Sequence, residues 1–565
     1  MGKKKSTKHG SGLNIIKYSA EVFKIITKNA LKLLETRYLL RNEKGKVIET
    51  PSRMFSRVAA AIAKIDSKYR ENPENSKKEF YEVMSKLEFL PNSPTLMNAG
   101  TKLGQLSACF VIPVEDSITG IFDALKEMAL IHQSGGGVGF SFSNLRPRGD
   151  IVASSKGVAS GPVSFMSIFD KATEVIKQGG KRRGANIGIL RVDHPDIMEF
   201  IACKSKGGFS NFNISVGITD EFMHAVENNK PFALISPRDK KIVRKIGARA
   251  IFNAIVENAW SHGDPGVIFL DEINRKSPIK GAKIESTNPC GEVPLLPYES
   301  CNLGSINLAN MVKGDSIDWQ RLGKTVHIAV HFLDNVLDAN KFPMKIIEEN
   351  TMKARKIGVG VMGFAEMLIQ LGVPYDSDDA LHVADKVMGF IREQAHNASI
   401  ELGRKRGSFP DFKRSKFFGK VRYMRNSTVT TIAPTGSISM IADTSSGIEP
   451  IFALRYYKRV LGGRHFIEVN KYYERMKNRL SKSELKKVFK TAMEIKPEQH
   501  VKMQAVFQIY TDNAVSKTVN LPKDATKQEV GSIFMLAHKL GCKGITIYRY
   551  ASKEEQVLNV CEVCR

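Results

Sequence analysis

The chain has 565 residues, 42% hydrophobic and 25% charged, with a formal net charge of +27. This is the composition of a globular protein and excludes a disordered or fibrous one; no apolar run approaches the roughly 20 residues that a membrane-spanning helix needs. The cysteines number seven, an odd and scattered set, which excludes a disulfide scaffold and fits a reducing, cytoplasmic compartment. Residues 1–12, "MGKKKSTKHGSG", read as a basic solvated tail. They match the loose myristoylation pattern but lack the apolar stretch of a signal peptide. The other Lys and Arg residues spread along the whole chain, without the clustered basic and aromatic residues of a nucleic-acid groove.

Residues 13–40 and 52–88 read as helices, and "MFSRVAAAIAKI" shows the three- and four-residue apolar spacing. The helical N-terminal region is expected over 13–90. "FLPNSPTLMNAG", residues 89–100, is turn-rich and should end it. "SACFVIPV" (107–114) reads as a strand. "DSITGIFDALKEMALIHQ" reads as a helix capped by Ser117 or Thr119. "SGGGVGF" (134–140) is a glycine loop entering a strand, with glycines that let backbone come close to a ligand. "VSFMSIFDKATEVIKQ" reads as a further helix. Strand-like and helical segments then alternate: "VGVMGF" before "AEMLIQLG", "VTTIA" before a glycine loop, "GITIYRY" near the end. That alternation predicts an α/β architecture of parallel strands closed as a barrel over residues 91–550. Residues 551–565 form a tail ending in C-x-x-C.

Chemistry concentrates in "STNPCGEVPLLPYESCNLGS". Pro289 and Gly291 bend the backbone around Cys290 and hold it at a loop tip. Asn288 and Glu292 flank it with polar, proton-handling groups, unlike the apolar setting of a structural cysteine. Cys301 follows, and Cys109 lies on a different predicted strand. Cys561 and Cys564 have the spacing of a dithiol or of half a zinc site. No second pair or nearby histidine completes four ligands in this chain, so the dithiol reading is preferred and no metal site is expected. Cys203 and Cys542 read as packing residues. Thr435, Gly436, Ser437 and Ser439 offer hydroxyls and open backbone N–H groups suited to a phosphate. "GVGVMG", Gly358–Gly363, is formally G-x-G-x-x-G. The segment before it is a poor buried strand and the nearby aspartates sit in a turn, so close packing is favoured over a dinucleotide site.

"NPCGE", "CNLGSINL", "GKRRGANIGILRVDHPDI", "RKIGVGVMGFAEML" and "NSTVTTIAPTGSISMIADTSSGIEPIFA" together closely resemble the catalytic subunit of ribonucleotide reductases. Within them the chain is most similar to the adenosylcobalamin-dependent class II enzymes. The likeness runs over about residues 30–550. It implies a ten-stranded α/β barrel with a central finger loop that carries the radical cysteine, preceded by the helical region.

By that resemblance Cys290 is the thiyl site, Glu292 the general base for the 3′-hydroxyl, and Asn288 a group orienting the sugar. Cys109 and Cys301 are the reducing pair, and Cys561 and Cys564 would reset them by thiol exchange with a thioredoxin-like reductant. Substrate phosphates are expected on Thr435, Gly436, Ser437, Ile438 and Ser439, with Ser93, Ala108 and Gly137 contributing. A deoxynucleoside triphosphate effector is expected at Asp116, Ser117, Ile118 and Arg146. Lys181, Arg182 and Arg183 match the loop that relays effector identity, or form a solvated basic cluster. The effector residues imply a homodimer. Substrates could be di- or triphosphates.

Class I subunits carry a tandem Tyr-Tyr near the C-terminus. Thr546 and Ile547 stand there instead, with Tyr548 and Tyr550 separated by Arg549. No glycyl-radical segment is present. The cofactor adenosylcobalamin is therefore expected. The alternatives are a class I-type subunit needing a radical-generating partner, or a basic nucleic-acid-binding protein. No N-terminal ATP cone is seen, so on/off control by ATP and dATP is not expected. The C-terminal tail is shorter than many class II tails, which makes turnover less secure than the ribose chemistry.

Overall fold

The computed structural model describes residues 25–151, 156–176, 184–205, 207–460, 464–550, 552 and 558–560, with backbone alone for 456–460, 464–469 and 558–560. Three helices lead in: α1 (Lys28–Arg37), α2 (Pro51–Ala63) and α3 (Pro73–Ser85). Thr27, Thr50 and Asn72 cap them by accepting backbone N–H bonds. The sequence suggested one helical stretch over 52–88. It breaks into α2, a 3₁₀ turn Lys64–Tyr69 and α3. Pro73 is the cause: it holds Asn72 extended and restarts the helix at its first turn. The supposed turn region 89–100 is also more ordered than expected. Phe89–Pro91 forms β1, and Ser93–Asn98 a short helix capped by Asn92. The long-range pairing of β1 supplies what local turn residues do not advertise.

The main sheet has ten strands. After β1 come β2 (Cys109–Val111), β3 (Gly137–Ser141), β4 (Asn186–Arg191), β5 (Phe212–Ile218) and β6 (Gly266–Phe269). Then follow β7 (Ser300–Asn307), β8 (Ile357–Met362), β9 (Thr518–Leu521) and β10 (Gly544–Arg549). The path runs β1-β7-β2-β3-β4-β5-β6-β10-β9, with β8 also on β7. Strands β2 to β6 are parallel, as are β7 with β8 and β9 with β10. The joints β1–β7, β7–β2 and β6–β10 are antiparallel. The sheet is therefore mixed, two parallel runs set head to tail, where alternation alone suggested parallel strands throughout. "VTTIA" is not a named strand. Its Thr430 bridges Val359 of β8 and its Ile432 bridges Val515 ahead of β9, linking the two flanks of the sheet.

Helices cover the strands. Among them α4 (Ile118–Ser134) is capped by Ser117, and α5 (Pro162–Val175) packs beside it. Two long helices, α6 (Trp319–Ala339) and α7 (Asp378–Arg406), pack together and against the lead-in region. A buried ionic network ties these parts. Asp334 on α6 accepts from Arg355 at 2.7 Å and Arg425 at 3.1 Å. Arg406, at the end of α7, reaches Asp66 at 2.7 Å and Glu71 at 2.6 Å. Asp66, Glu71 and His331 are close enough to ligate a cation. The Arg406 guanidinium lies against all three and supplies that charge. Burial alone would raise the Asp334 carboxyl, but Arg355, Arg425 and Arg406 hold it well below the usual carboxylate range.

A hairpin of Arg455–Val460 and Arg464–Val469 stands off the main sheet, and Leu558–Val560 adds to it as an antiparallel strand. Cys561 and Cys564 follow that strand and lie outside the described residues, as do Lys181, Arg182 and Arg183.

Candidate active site

Ser286–Thr287 pairs antiparallel with Pro294–Leu295, and residues 288–293 form the loop between them. The turn is closed by the Asn288 N–H donating to Val293 O at 3.2 Å and the Gly291 N–H to Asn288 O at 3.0 Å. The Val293 N–H donates to Asn288 Oδ1 at 2.9 Å. Gly291 takes φ +81°, which suits a residue without a side chain. Cys290 is exposed at the tip, while Asn288 and Glu292 are buried.

The loop threads the barrel because glycines make room for it. A Cβ on Gly139 of β3 would lie 1.6 Å from the Thr287 carbonyl, and one on Gly137 would lie 2.9 Å from Pro289. The backbone that "SGGGVGF" admits is thus the finger loop itself. Asn213 of β5 donates to Pro289 O at 2.8 Å. On the far side the Glu292 carbonyl accepts from Thr431 Oγ1 and from the Ala514 N–H, both at 2.9 Å. Gly358 and Gly360 of β8 do for Thr431 what Gly139 does for Thr287, since a Cβ there would meet it at 2.4 and 2.2 Å. That is the packing role favoured for "GVGVMG".

Cys109 of β2 and Cys301 of β7 are direct register partners. Residues opposite each other in an antiparallel pair have Cα atoms about 4.5–5.5 Å apart, inside the span of a disulfide. Both are buried and neither is in a disulfide. Asn288 Nδ2 donates to Cys109 Sγ at 3.2 Å, so the finger loop touches the pair. Val111, Val293, Leu295 and Leu303 pack around them. Burial pushes the Cys301 thiol well above the usual range, against the opposing pull of Lys356. Lys356 itself is buried against Glu299 at 2.5 Å. Cys301 therefore keeps its proton at neutral pH. Cys203 and Cys542 are likewise pushed up to about 12 by burial, as packing residues would be.

Residues Thr435–Ser439 form a turn into the short helix Ile438–Ile441. Thr435 has φ +54° and accepts the Gly447 N–H at 2.8 Å on its hydroxyl. Ser439 Oγ lies 3.1 Å from Ser446 Oγ. Gly436 faces open space. Ala108 O accepts the Gly137 N–H at 2.9 Å, so these two are brought together. The candidate effector residues also meet: Arg146 Nε donates to Asp116 Oδ2 at 2.9 Å, next to Ser117. The Ser117 hydroxyl is engaged as the cap of α4, and Ile118 is 64% exposed.

Two features escaped the sequence reading. One is a cavity of about 620 Å³ onto which Cys290 opens, with Gly436, Glu449, Lys517, Thr546 and Tyr548 among its walls. Lys517 is buried and pairs with Glu449 at 2.6 Å. The cavity gathers residues from distant segments, and no local pattern marks them. The other is the contact of Arg37 and Tyr38, on the helical lead-in, with Ser437 and Ser93.

With this geometry in view, two family descriptions match the chain: ribonucleotide reductase, all-alpha domain, over residues 26–104, and ribonucleotide reductase, barrel domain, over 107–424 and 419–548. The chain belongs to the ribonucleotide reductase family. Among curated reductases, the vitamin B12-dependent ribonucleoside-diphosphate reductase of Thermoplasma acidophilum is 51% identical, covering 94% of this chain and 80% of that protein. Its namesake from Mycobacterium tuberculosis is 46% identical over 94% of this chain and 80% of that protein. The ribonucleoside-diphosphate reductase large chain of Neurospora crassa is 28% identical, covering 91% of this chain and 63% of its own length. The barrel match covers nine of the ten strands of the main sheet, while the lead-in helices and β1 fall in the all-alpha match.

Proposed function

We propose that the protein reduces ribonucleoside diphosphates to deoxyribonucleotides and does so with adenosylcobalamin. The observation that carries this reading is a loop that bears Cys290 at its tip and touches, through Asn288, a register-paired cysteine couple. The named B12-dependent relatives support it by identity nearly twice that of the large-chain relative. Further support is that Thr546 and Ile547 line the cavity beside Cys290, where a class I subunit would carry its tyrosine pair.

The cavity adjoins the exposed thiol and offers both apolar and polar walls; at about 620 Å³ it would take part of so large a cofactor. Ile187, Ile268, Phe452, Ile547 and Tyr548 would hold such a group, with Lys517 and Glu449 as polar contacts. Adenosylcobalamin, when bound, supplies the one-electron oxidant that makes Cys290 a thiyl radical. Cys290 then takes the 3′ hydrogen of the ribose, and Glu292 accepts the 3′-hydroxyl proton. A thiol of the Cys109–Cys301 pair protonates the 2′-hydroxyl, which leaves as water. The pair gives up two electrons and two protons, one proton leaving in the water and the other ending on C2′, and becomes a disulfide; Glu292 returns its proton to the 3′ oxygen, and Cys290 returns its hydrogen to C3′. The neutral, buried Cys301 thiol suits that donation. Phosphates lie on Thr435–Ser439, and the Cys561–Cys564 dithiol restores the pair.

Incubation of the chain with adenosylcobalamin, CDP and a dithiol, without any partner protein, should yield dCDP. Cys290→Ser should abolish product while leaving CDP affinity unchanged. No product from the wild type, or product only after a second protein is added, overturns the reading.

The same reading includes a homodimer. Ile118, Phe122 and Leu130 on α4, and Ile168 and Val175 on α5, leave apolar side chains exposed beside the Asp116–Arg146 pair. A second copy covering this face would bring the effector residues to the interface. Light scattering that returns the mass of one chain would count against it.

A further inference from the structure

Two consecutive residues at the end of α1 touch the candidate phosphate cradle from outside the barrel. Arg37 Nη1 donates to Ser437 Oγ at 3.3 Å. The Tyr38 hydroxyl lies 2.8 Å from Ser93 Oγ. α1 also packs on the short helix Ile438–Ile441 that the cradle leads into. Tyr38 is buried and Arg37 half-buried, so neither is a loose surface side chain.

The cradle residues themselves, Ser93, Ala108, Gly137 and Thr435–Ser439, carry no charge. A diphosphate brings several negative charges to them. Hydroxyls and backbone N–H groups can orient it, but a guanidinium adds charge-assisted, bidentate bonding to a terminal phosphate. Arg37 stands at hydrogen-bond distance from the cradle's central hydroxyl. Gly436 beside that hydroxyl faces open space, which leaves room for a phosphate.

We propose that Arg37 binds the terminal phosphate of the substrate, while Tyr38 fixes Ser93. The all-helical region thereby reads how many phosphates the nucleotide carries. This inference rests on the phosphate-cradle reading above.

The test measures binding of CDP, CMP and cytidine to the full chain by calorimetry. Arg37→Ala should weaken CDP about ten- to hundredfold, as expected for loss of an ionic hydrogen bond. It should leave cytidine unchanged and affect CMP less than CDP. Arg37→Lys should restore part of the loss. Equal weakening of all three ligands would mark Arg37 as merely structural and overturn the proposal, as would unchanged CDP affinity. Gly436→Leu separates the two readings, because its side chain enters open space without strain. If Gly436→Leu binds CDP like the wild type, the cradle reading falls and this inference with it. If Gly436→Leu blocks CDP and Arg37→Ala does not weaken it, the Arg37 proposal alone falls.

Discussion

Two of the buried polar centres among the described residues are built on opposite plans. Around Asp334, charge is met by charge: Arg355, Arg406 and Arg425 converge on one carboxylate, and Asn426 adds a hydrogen bond at 3.1 Å. Around Cys109 and Cys301, the contacts include an amide and apolar side chains, with the Lys356–Glu299 ion pair acting on Cys301 from nearby. The first plan fixes the helical lead-in and α7 against the barrel, and nothing in it is poised to change state. The second keeps protons on weakly polar groups, which on the proposed mechanism would give them up when a substrate arrives. Burial serves both, as cement in one place and as protection for reactive sulfur in the other.

The contrast can be broken most severely at Cys290: the serine variant should lose all product and keep its fold. Asp334→Ala should do the reverse. It removes the carboxylate that three arginines share, leaving them Asp338, Asp66 and Glu71, and should cost about 3–5 kcal/mol in urea unfolding, while folded protein at low temperature retains turnover. Gly139→Ala tests the seam between the two plans, because its methyl would overlap the Thr287 carbonyl. A finger loop shifted by about 1 Å should lower kcat about a hundredfold, with much less effect on CDP affinity. Lys543 gives the smallest and most specific effect. Burial lowers its ammonium from 10.5 to about 8. Between those values the unfolded chain keeps the proton that the folded chain has lost, so stability rises with pH, by at most about 1.4 kcal/mol per unit. Lys543→Met should flatten that rise in unfolding curves taken from pH 8 to 10.5.

The reactive loop was legible because its signal is local: Pro289, Cys290 and Gly291 specify a tip, and Asn288 and Glu292 flank it. The facing of Cys109 and Cys301 was not, since register between distant strands leaves no mark in spacing. The resemblance named the pair, and the structure shows the two as neighbours. Alternation gave the barrel but hid its antiparallel joints, because a strand's direction depends on connections and not on its own residues. Pro73 could have announced the break between α2 and α3. Thr430 and Ile432 close the ring through single bridges, too little pairing to be told from an ordinary apolar run. Arg37 had no sequence signal at all, as its meaning lies in the loop it meets.

The register of β2 on β7 has a mechanical consequence. Those strands are one of the joints where the oppositely directed runs of the barrel meet. On the proposed mechanism, a disulfide formed there each cycle would be a staple across that joint, closing a loop of almost two hundred residues. A crosslink of that span restricts the unfolded chain by a few kcal/mol. An enzyme that has just released its product should therefore melt at a higher temperature than one ready to begin, and melting curves would report the oxidation state of the pair without any assay of turnover.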